Sequence, residues 1–305
     1  MPDPGPGNIS VIGFGLMGAQ ISQILSLAGY VVTAYDIDDE KLCRGIGLIE
    51  SGKYGLENSV KSGRISKDDA TGALSRIETT SSLEKALDHA QFVLEAAVED
   101  LKIKQEIFKQ AARLAEVDAV LATNTSTISV GQIGKNQRLK DTERLAGMHF
   151  FNPPQLMKLV EIVKTKKTLP AIISRIEKVS KTLGKISIVV MDSPAFVANR
   201  IGLSVFSEAS ALLEKGVANV RDIDLSMRLG YGYPMGPFEL GDLVGLDARL
   251  RNMDALYKET REEKFRPPKI LRRLVAEGYL GDPKVKSESR GGYYEYFRLK
   301  RPSDT

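Results

Sequence analysis

The stretch Asn8-Ile9-Ser10-Val11-Ile12-Gly13-Phe14-Gly15-Leu16-Met17-Gly18 decides the fold. A short apolar strand runs into three glycines spaced Gly-x-Gly-x-x-Gly. Ala19, Ile21, Ile24, Leu25 and Ala28 then continue at helical spacing until Gly29 ends the helix. Val31-Val32-Thr33-Ala34-Tyr35 reads as the second strand, with Asp36 at its end, 18 residues after Gly18. The glycine pattern by itself is a weak signal. Between a strand and a helix, with an acid following the next strand, it is specific for a dinucleotide site. Gly13 permits the tight turn, Gly15 lets backbone approach a pyrophosphate, and Gly18 allows close packing of helix on strand. Leu16 and Met17 open the helix, whose free N–H groups and positive dipole end suit phosphates. Asp36 can accept hydrogen bonds from ribose hydroxyls and would repel a 2′-phosphate. Ile37, not Arg, follows it, so the pattern favours NAD over NADP.

Working outward, residues 38–63 read as a long helix or a helix pair. Lys53, Lys61, Arg64 and Lys67 lie along its later part, as a solvated face or as a clamp for a phosphorylated ligand. Further strands are expected at 76–79, 92–97 and 118–122. The last ends in Thr123-Asn124-Thr125-Ser126-Thr127, and small hydroxyls at the C-terminal end of a parallel strand lie where such sheets bind ligands. A helix is expected from Leu101, a second over 169–183, and a strand over 186–190. Strands alternating with helices predict a mostly parallel, Rossmann-type α/β sheet, with strands near its end free to pair differently.

The chain has two histidines, His89 and His149. His89 reads as a surface or capping residue. His149 ends an apolar run and is followed by Phe150-Phe151-Asn152-Pro153-Pro154; a second apolar run over 157–163 carries one acid, Glu161. This predicts strand, turn, strand, with imidazole and carboxylate meeting across the hairpin. Such a pair is a proton-transfer device; the bland alternative is a core histidine beside a solvent-facing acid.

At 305 residues the chain has room for one large domain or two ordinary ones. Its net charge of +4 is spread rather than clustered, which does not indicate nucleic-acid binding. The single cysteine, Cys43, excludes an internal disulfide and fits a reducing compartment. Residues 1–7 are a polar, proline-rich lead-in without the features of a signal peptide. No apolar run approaches the ~18 residues of a membrane span. The expectation is a cytoplasmic protein with no membrane segment and no metal site.

Character changes at Asp192-Ser193-Pro194. A nucleotide-binding domain is expected over 1–192 and a helical domain over 193–305, with no strand until the extreme C-terminus. Ser193-Pro194 reads as a helix start with Ser193 as its cap. Asn199 then stands a turn and a half into an apolar helix, either satisfying backbone at the domain joint or reaching into a cleft.

These motifs resemble the L-3-hydroxyacyl-CoA dehydrogenases, including 3-hydroxybutyryl-CoA dehydrogenases, over nearly the whole chain. The resemblance rests on the glycine loop with Asp36; Glu95-Ala96-Ala97-Val98-Glu99-Asp100-Leu101-Lys102-Ile103-Lys104; Asn124-Thr125-Ser126; His149-Phe150-Phe151-Asn152-Pro153; Met157-Lys158-Leu159-Val160-Glu161; Phe196-Val197-Ala198-Asn199-Arg200; and Tyr233-Pro234-Met235-Gly236-Pro237-Phe238-Glu239-Leu240. It implies that His149 is the general acid/base and Glu161 its partner, and that Ser126 and Asn199 hold the substrate's reacting oxygen. It implies further that Asn152 lines the cofactor and substrate site, and that Glu99 and Lys104 lie near the nicotinamide end of NAD. The segment after Asp36 resembles the part that contacts coenzyme A, with Lys53 and Lys61 as candidates. The helical domain resembles a dimerisation domain, so a homodimer is implied.

Two departures stand out. Ala195 occupies a position that is usually Gly in this family, a change expected to have little effect. After Leu280-Gly281 the family's Lys-x-Gly-x-Gly-Phe-Tyr register is lost to the longer segment 282–290. The expected activity is reversible NAD-dependent oxidation of a short-chain (3S)-3-hydroxyacyl-CoA. One rival is a related dehydrogenase of a free hydroxy acid such as L-gulonate. Another is the 3-hydroxyisobutyrate type, which needs a lysine where this chain has Asn199 and none before Lys215. A third, of a different class, is a non-catalytic nucleotide-binding protein on the same fold.

Overall fold

Short runs of β-branched and apolar residues form the strands, and in the sheet's middle both faces are covered. In the computed structural model, which describes residues 7–302, these are β1 (Asn8–Ile12), β2 (Val31–Tyr35), β3 (Ile77–Thr80), β4 (Phe92–Glu95), β5 (Val120–Thr123), β6 (Leu145–Phe150), β7 (Leu159–Lys164) and β8 (Ile186–Met191). They make one sheet in the order β3-β2-β1-β4-β5-β6-β7-β8. Neighbours pair in parallel except β6 with β7, the antiparallel hairpin. β4 and β5 are buried at every position, as continuous apolar runs inside a parallel sheet should be. The chain order reverses between β1 and β4, and ligands bind at the carboxyl ends of strands beside such a switch.

The first unit comprises residues 1–193. Its glycine loop leads into α1 (Leu16–Leu27). The segment 38–63, expected as one long helix or a helix pair, is a pair, α2 (Asp39–Ser51) and α3 (Leu56–Lys61), and α4 (Lys67–Ser75) follows it. Ser66 and Asp69 start α4 with a reciprocal capping box. α5 (Leu83–Leu87) precedes β4. α6 (Leu101–Leu114) follows it, capped by Asp100, which accepts from the backbone N–H of Lys102 and Ile103. α6 turns Lys104, Ile107, Phe108 and Ala111 inward at helical spacing. Short α7 (Val130–Ile133) and α8 (Leu139–Glu143), then α9 (Pro170–Thr182), complete the unit. His89 is exposed at φ 52° and bonds Glu116.

The second unit, residues 194–305, is helical where it is described. Its helices are α10 (Ala198–Glu214), α11 (Val220–Tyr231), α12 (Pro237–Val244), α13 (Leu246–Thr260), α14 (Lys269–Ala276) and the single turn α15 (Tyr293–Tyr296). The helix start expected at Ser193-Pro194 does not form. Residues 194–197 make a turn in which Ala195 (φ 58°) and Phe196 (φ 51°) are left-handed. A glycine would sit there freely; an L-residue gives up roughly 1–2 kcal/mol. The shift puts Asn199 in the first turn of α10, half-buried, rather than deep inside an apolar helix. The C-terminus, where a strand was allowed for, contributes an isolated bridge between Gly281 and Gly291 and then α15. The segment 282–290 folds onto its own unit: Lys286 pairs with Asp247, and the Ser289 hydroxyl bonds Gly281 and Gly291.

Two acids inside this unit give it a pH dependence. Asp224 accepts from the backbone of Phe238 and Glu239 and from the Tyr294 hydroxyl. Asp242 accepts from the backbone of Tyr293 and Tyr294. Burial pushes Asp224 up to about 6 and Asp242 up to about 7, against the opposing pull of those donors. Both therefore hold their proton more tightly folded than unfolded, where Asp titrates near 3.9. Stability falls as pH rises through that interval. Urea unfolding should show a loss of roughly 2–4 kcal/mol from pH 5 to pH 8, cut by more than half in Asp242→Asn. A flat profile would contradict the assignment.

Candidate active site

At the switch point Gly13 turns the chain at φ 97°, and a Cβ there would lie 2.6 Å from the Ala97 nitrogen. A Cβ on Gly18 would lie 1.8 Å from the Gly13 carbonyl oxygen. These two glycines are required by the protein's own packing. At Gly15 an added Cβ meets no protein atom within 4 Å: its open side faces outward at the N-terminus of α1, as an approaching pyrophosphate needs. Leu16 is exposed and Met17 packs partly on the core, so both present the helix's first N–H groups. Asp36 is tied down at both oxygens, by Phe14 N at 2.8 Å and Ile37 N at 2.8 Å. A fixed carboxylate at the end of β2 suits paired ribose hydroxyls and opposes a 2′-phosphate. Asp36→Ala should therefore weaken NADH at least about 10-fold while weakening NADPH much less, since each tenfold is about 1.4 kcal/mol. Equal weakening in a fluorescence titration would refute the ribose contact.

The hairpin register places His149 directly opposite Glu161. Both are buried, and Nδ1 of His149 lies 2.8 Å from Oε2 of Glu161. A carboxylate only accepts, so Nδ1 carries the proton that it gives to Glu161, and in the neutral ring Nε2 is the basic nitrogen. The Phe151 ring packs 4.7 Å from the imidazole. Asn152 is exposed in the turn that follows, ahead of Pro153. Asn124, at the end of β5, accepts from Phe150 N at 2.9 Å and so pins β6 one residue beyond His149.

The Ser126 loop is held by a charge network in which Glu95 and Lys104 are buried and Glu99 is partly exposed. Glu99 Oε1 accepts from the Thr125 hydroxyl (2.6 Å), Ser126 N (3.1 Å), Thr127 N (3.1 Å) and the Thr127 hydroxyl (2.9 Å). Lys104 Nζ lies 3.2 Å from Glu99 and 2.7 Å from Glu95. Glu95 in turn accepts from Ala97 N and the Thr123 hydroxyl. Burial raises the Glu99 carboxyl, but Lys104 and the threonine donors outweigh it and hold it below the usual range. The loop backbone is thus clamped, while the Ser126 hydroxyl has no hydrogen-bond partner among the described residues. The Lys104 ammonium, expected beside the nicotinamide, is 1% exposed; its partners are Glu95, Glu99 and the Ala97 carbonyl.

The elements therefore gather the glycine loop, Asp36, Glu99, Ser126, His149, Asn152 and Glu161 in one unit. Lys53 and Lys61 stand on the arm built by α2–α4. Lys53 lies over the Tyr54 ring and Lys61 pairs with Glu57; neither bonds the glycine loop or His149. Asn199 belongs to the second unit. Residue-type reasoning passed over Glu95 and Asp192, and placed Asn124 among the polar residues at the ligand end of β5 without foreseeing its bond to Phe150 N. Asp192 accepts from the Ser129 hydroxyl and from Val130 and Gly131 N, starting α7 just after the Ser126 loop. Only Glu95, a lone acid closing an apolar strand, carried a visible signal.

A doubly wound sheet with this glycine loop and a His–Glu pair defines a nucleotide-dependent oxidoreductase. Residues 8–193 match the family described as 3-hydroxyacyl-CoA dehydrogenase, NAD binding domain, and residues 196–296 match its C-terminal domain. The chain belongs to the 3-hydroxyacyl-CoA dehydrogenase family, whose cofactor is NAD. It is 34% identical over 288 residues to the 3-hydroxybutyryl-CoA dehydrogenase of Clostridioides difficile, covering 94% of this chain and 99% of that protein. It is 36% identical over 292 residues to the mitochondrial hydroxyacyl-coenzyme A dehydrogenase of Sus scrofa, covering 95% and 91%. The crystal structure of (S)-3-hydroxybutyryl-CoA dehydrogenase from Ralstonia eutropha superposes with a TM-score of 0.84 at 35% identity, covering 92% of this chain and 96% of that one.

Proposed function

We propose that the chain reversibly oxidises short-chain (3S)-3-hydroxyacyl-CoA, such as 3-hydroxybutyryl-CoA, to the 3-oxoacyl-CoA. The observation that carries this reading is the buried His149–Glu161 pair, 2.8 Å apart, in the domain that holds the nucleotide loop. Oxidising an alcohol requires removal of its hydroxyl proton. Nε2 of His149 takes that proton, and Glu161 steadies the charge on the ring without itself being protonated. In reverse, the imidazolium returns the proton to the ketone oxygen. Bound NAD+ supplies the hydride acceptor, held by residues 13–18 and Asp36. Ser126 and Asn199 are assigned to the reacting oxygen and Asn152 to the wall beside His149. Glu99 and Lys104 together set the Ser126 loop, and Lys53 and Lys61 are offered to the anionic end of coenzyme A.

The same reading places the protein in fatty acid metabolism of the β-oxidation type and in the cytoplasm, and makes it a homodimer. The lone Cys43 supports a reducing compartment, and no helix among the described residues is long and apolar enough to cross a membrane. Leu229, Tyr231, Leu240, Leu243 and Val244 are exposed on the helical unit, which supports a subunit interface there. NADH oxidation over a series of 3-oxoacyl-CoA chain lengths, with acetoacetate and L-gulonate as free-acid controls, tests the function. Highest kcat/KM on acetoacetyl-CoA is expected; preference for a free acid would overturn it.

A further inference from the structure

A chain of two amides, Gln23 buried and Gln155 half-buried, crosses the first unit from the α2–α4 arm to the turn after His149. Gln23, 1% exposed on α1, donates from Nε2 to the Tyr54 carbonyl at 2.9 Å. Gln155 donates from Nε2 to Gln23 Oε1 at 3.0 Å. A carbonyl only accepts, so Tyr54 dictates which end of Gln23 faces it. Gln23 must then turn its oxygen to Gln155, and Gln155 must answer with its NH2. The polarity of the whole run follows from one backbone oxygen.

Its two ends lie at the two parts of the site. Tyr54 adjoins Lys53, whose ammonium stands 5.5 Å from the Tyr54 ring centre. Gln155 closes the turn that begins at Asn152, three residues after His149. Lys185 holds the same turn from outside by bonding the carbonyls of Pro154 and Met157. The amides are a poor choice for stability alone. A buried polar group gains little over a well-packed apolar one, and Gln155 Oε1 is buried without a partner. An apolar pair would hold α1 against the turn but would not make the turn's position depend on the Tyr54 backbone.

We propose that Gln23 is a positioning residue that transmits occupancy of the arm by the substrate's nucleotide end to the turn carrying Asn152. This rests on the reading of coenzyme A as the substrate's handle. Pinning residues 53–54 fixes the Tyr54 carbonyl, and Gln23 and Gln155 then hold the turn beside His149 in one place. Binding energy from the remote part of the substrate is used for orientation at the reacting carbon.

Hydrogen exchange on the NAD+-bound protein, with and without free coenzyme A, tests this. In the wild type, coenzyme A should slow exchange at least about 5-fold both in residues 52–63 and in residues 151–157, and in Gln23→Met only the first protection should survive. Arm protection without turn protection in the wild type, or turn protection persisting in Gln23→Met, overturns the coupling and leaves the coenzyme A reading intact. No protection at the arm overturns both, and locates the fault in the coenzyme A reading. Kinetics give the second readout. Gln23→Met should lose about 10-fold in kcat with acetoacetyl-CoA but keep wild-type kcat with the acetoacetyl thioester of N-acetylcysteamine, which lacks the nucleotide. Gln155→Met, altering the other end from a half-buried position, should give the same split. Equal losses on both substrates reduce Gln23 to a strut and refute the proposal.

Discussion

His149→Gln lowers turnover by roughly 10²–10⁴-fold while leaving the Kd for NADH within about twofold of wild type. Glutamine keeps an uncharged polar side chain that can donate an amide N–H to Glu161, so the buried carboxylate keeps a partner. What disappears is a group that can take and return a proton at the position of Nε2. The cofactor loop lies at the ends of β1 and β2, with β4 and β5 between it and the strand that carries His149. The loss should therefore fall on kcat and on kcat/KM alike, as for an interaction made only in the transition state. NADH oxidation at saturating acetoacetyl-CoA, beside a fluorescence titration of NADH, gives both numbers. Unchanged turnover would remove His149 from the mechanism.

The second large effect is on stability. Lys104→Met should destabilise the first unit by roughly 3–5 kcal/mol, because it leaves Glu95 buried beside a second acid with no cation. Glu95 is fully buried and Lys104 is 1% exposed, so no water relieves the carboxylate. Double replacement, Glu95→Gln with Lys104→Met, should recover much of the loss, since removing both charges abolishes the uncompensated one. The double variant should still turn over slowly: Glu99 would lose the ammonium that fixes it, and with it the clamp on Ser126. Urea unfolding of the three variants is the measurement. A Lys104→Met loss below about 1 kcal/mol would mean that the buried Glu95–Lys104 pair does not hold this unit together.

The glycine loop, Asp36 and the hairpin pair were legible because each depends on neighbours in the chain. Strand, turn and helix around Gly13 are adjacent, and the His149–Glu161 register follows from a short antiparallel connection. Lys104 was harder. In a helix rich in lysine and glutamine its position reads as solvent-facing, yet helical spacing puts it on the stripe with Ile107, Phe108 and Ala111. Burial turns an expected ligand contact into the counterion of two acids. Asn199 shifted for a local reason no pattern announced, the left-handed pair Ala195 and Phe196. The helix pair after Asp36 was legible, and the further helix α4 is marked by the capping box of Ser66 and Asp69 rather than by apolar spacing.

By itself the sequence determined a nucleotide-binding sheet followed by helices, an acid at the end of the second strand and a histidine paired with a carboxylate. These depend on spacings of a few residues and on the period of apolar side chains. Only the tertiary structure decided that Glu99 grips residues 26–28 positions away, that Asn124 pins the strand carrying His149, and that Gln23 meets Gln155 across 132 residues. Those partners are brought together by the order of strands in the sheet and by which helix face turns inward. Sheet order is set by the burial of the whole core, so no window of sequence around either partner contains it.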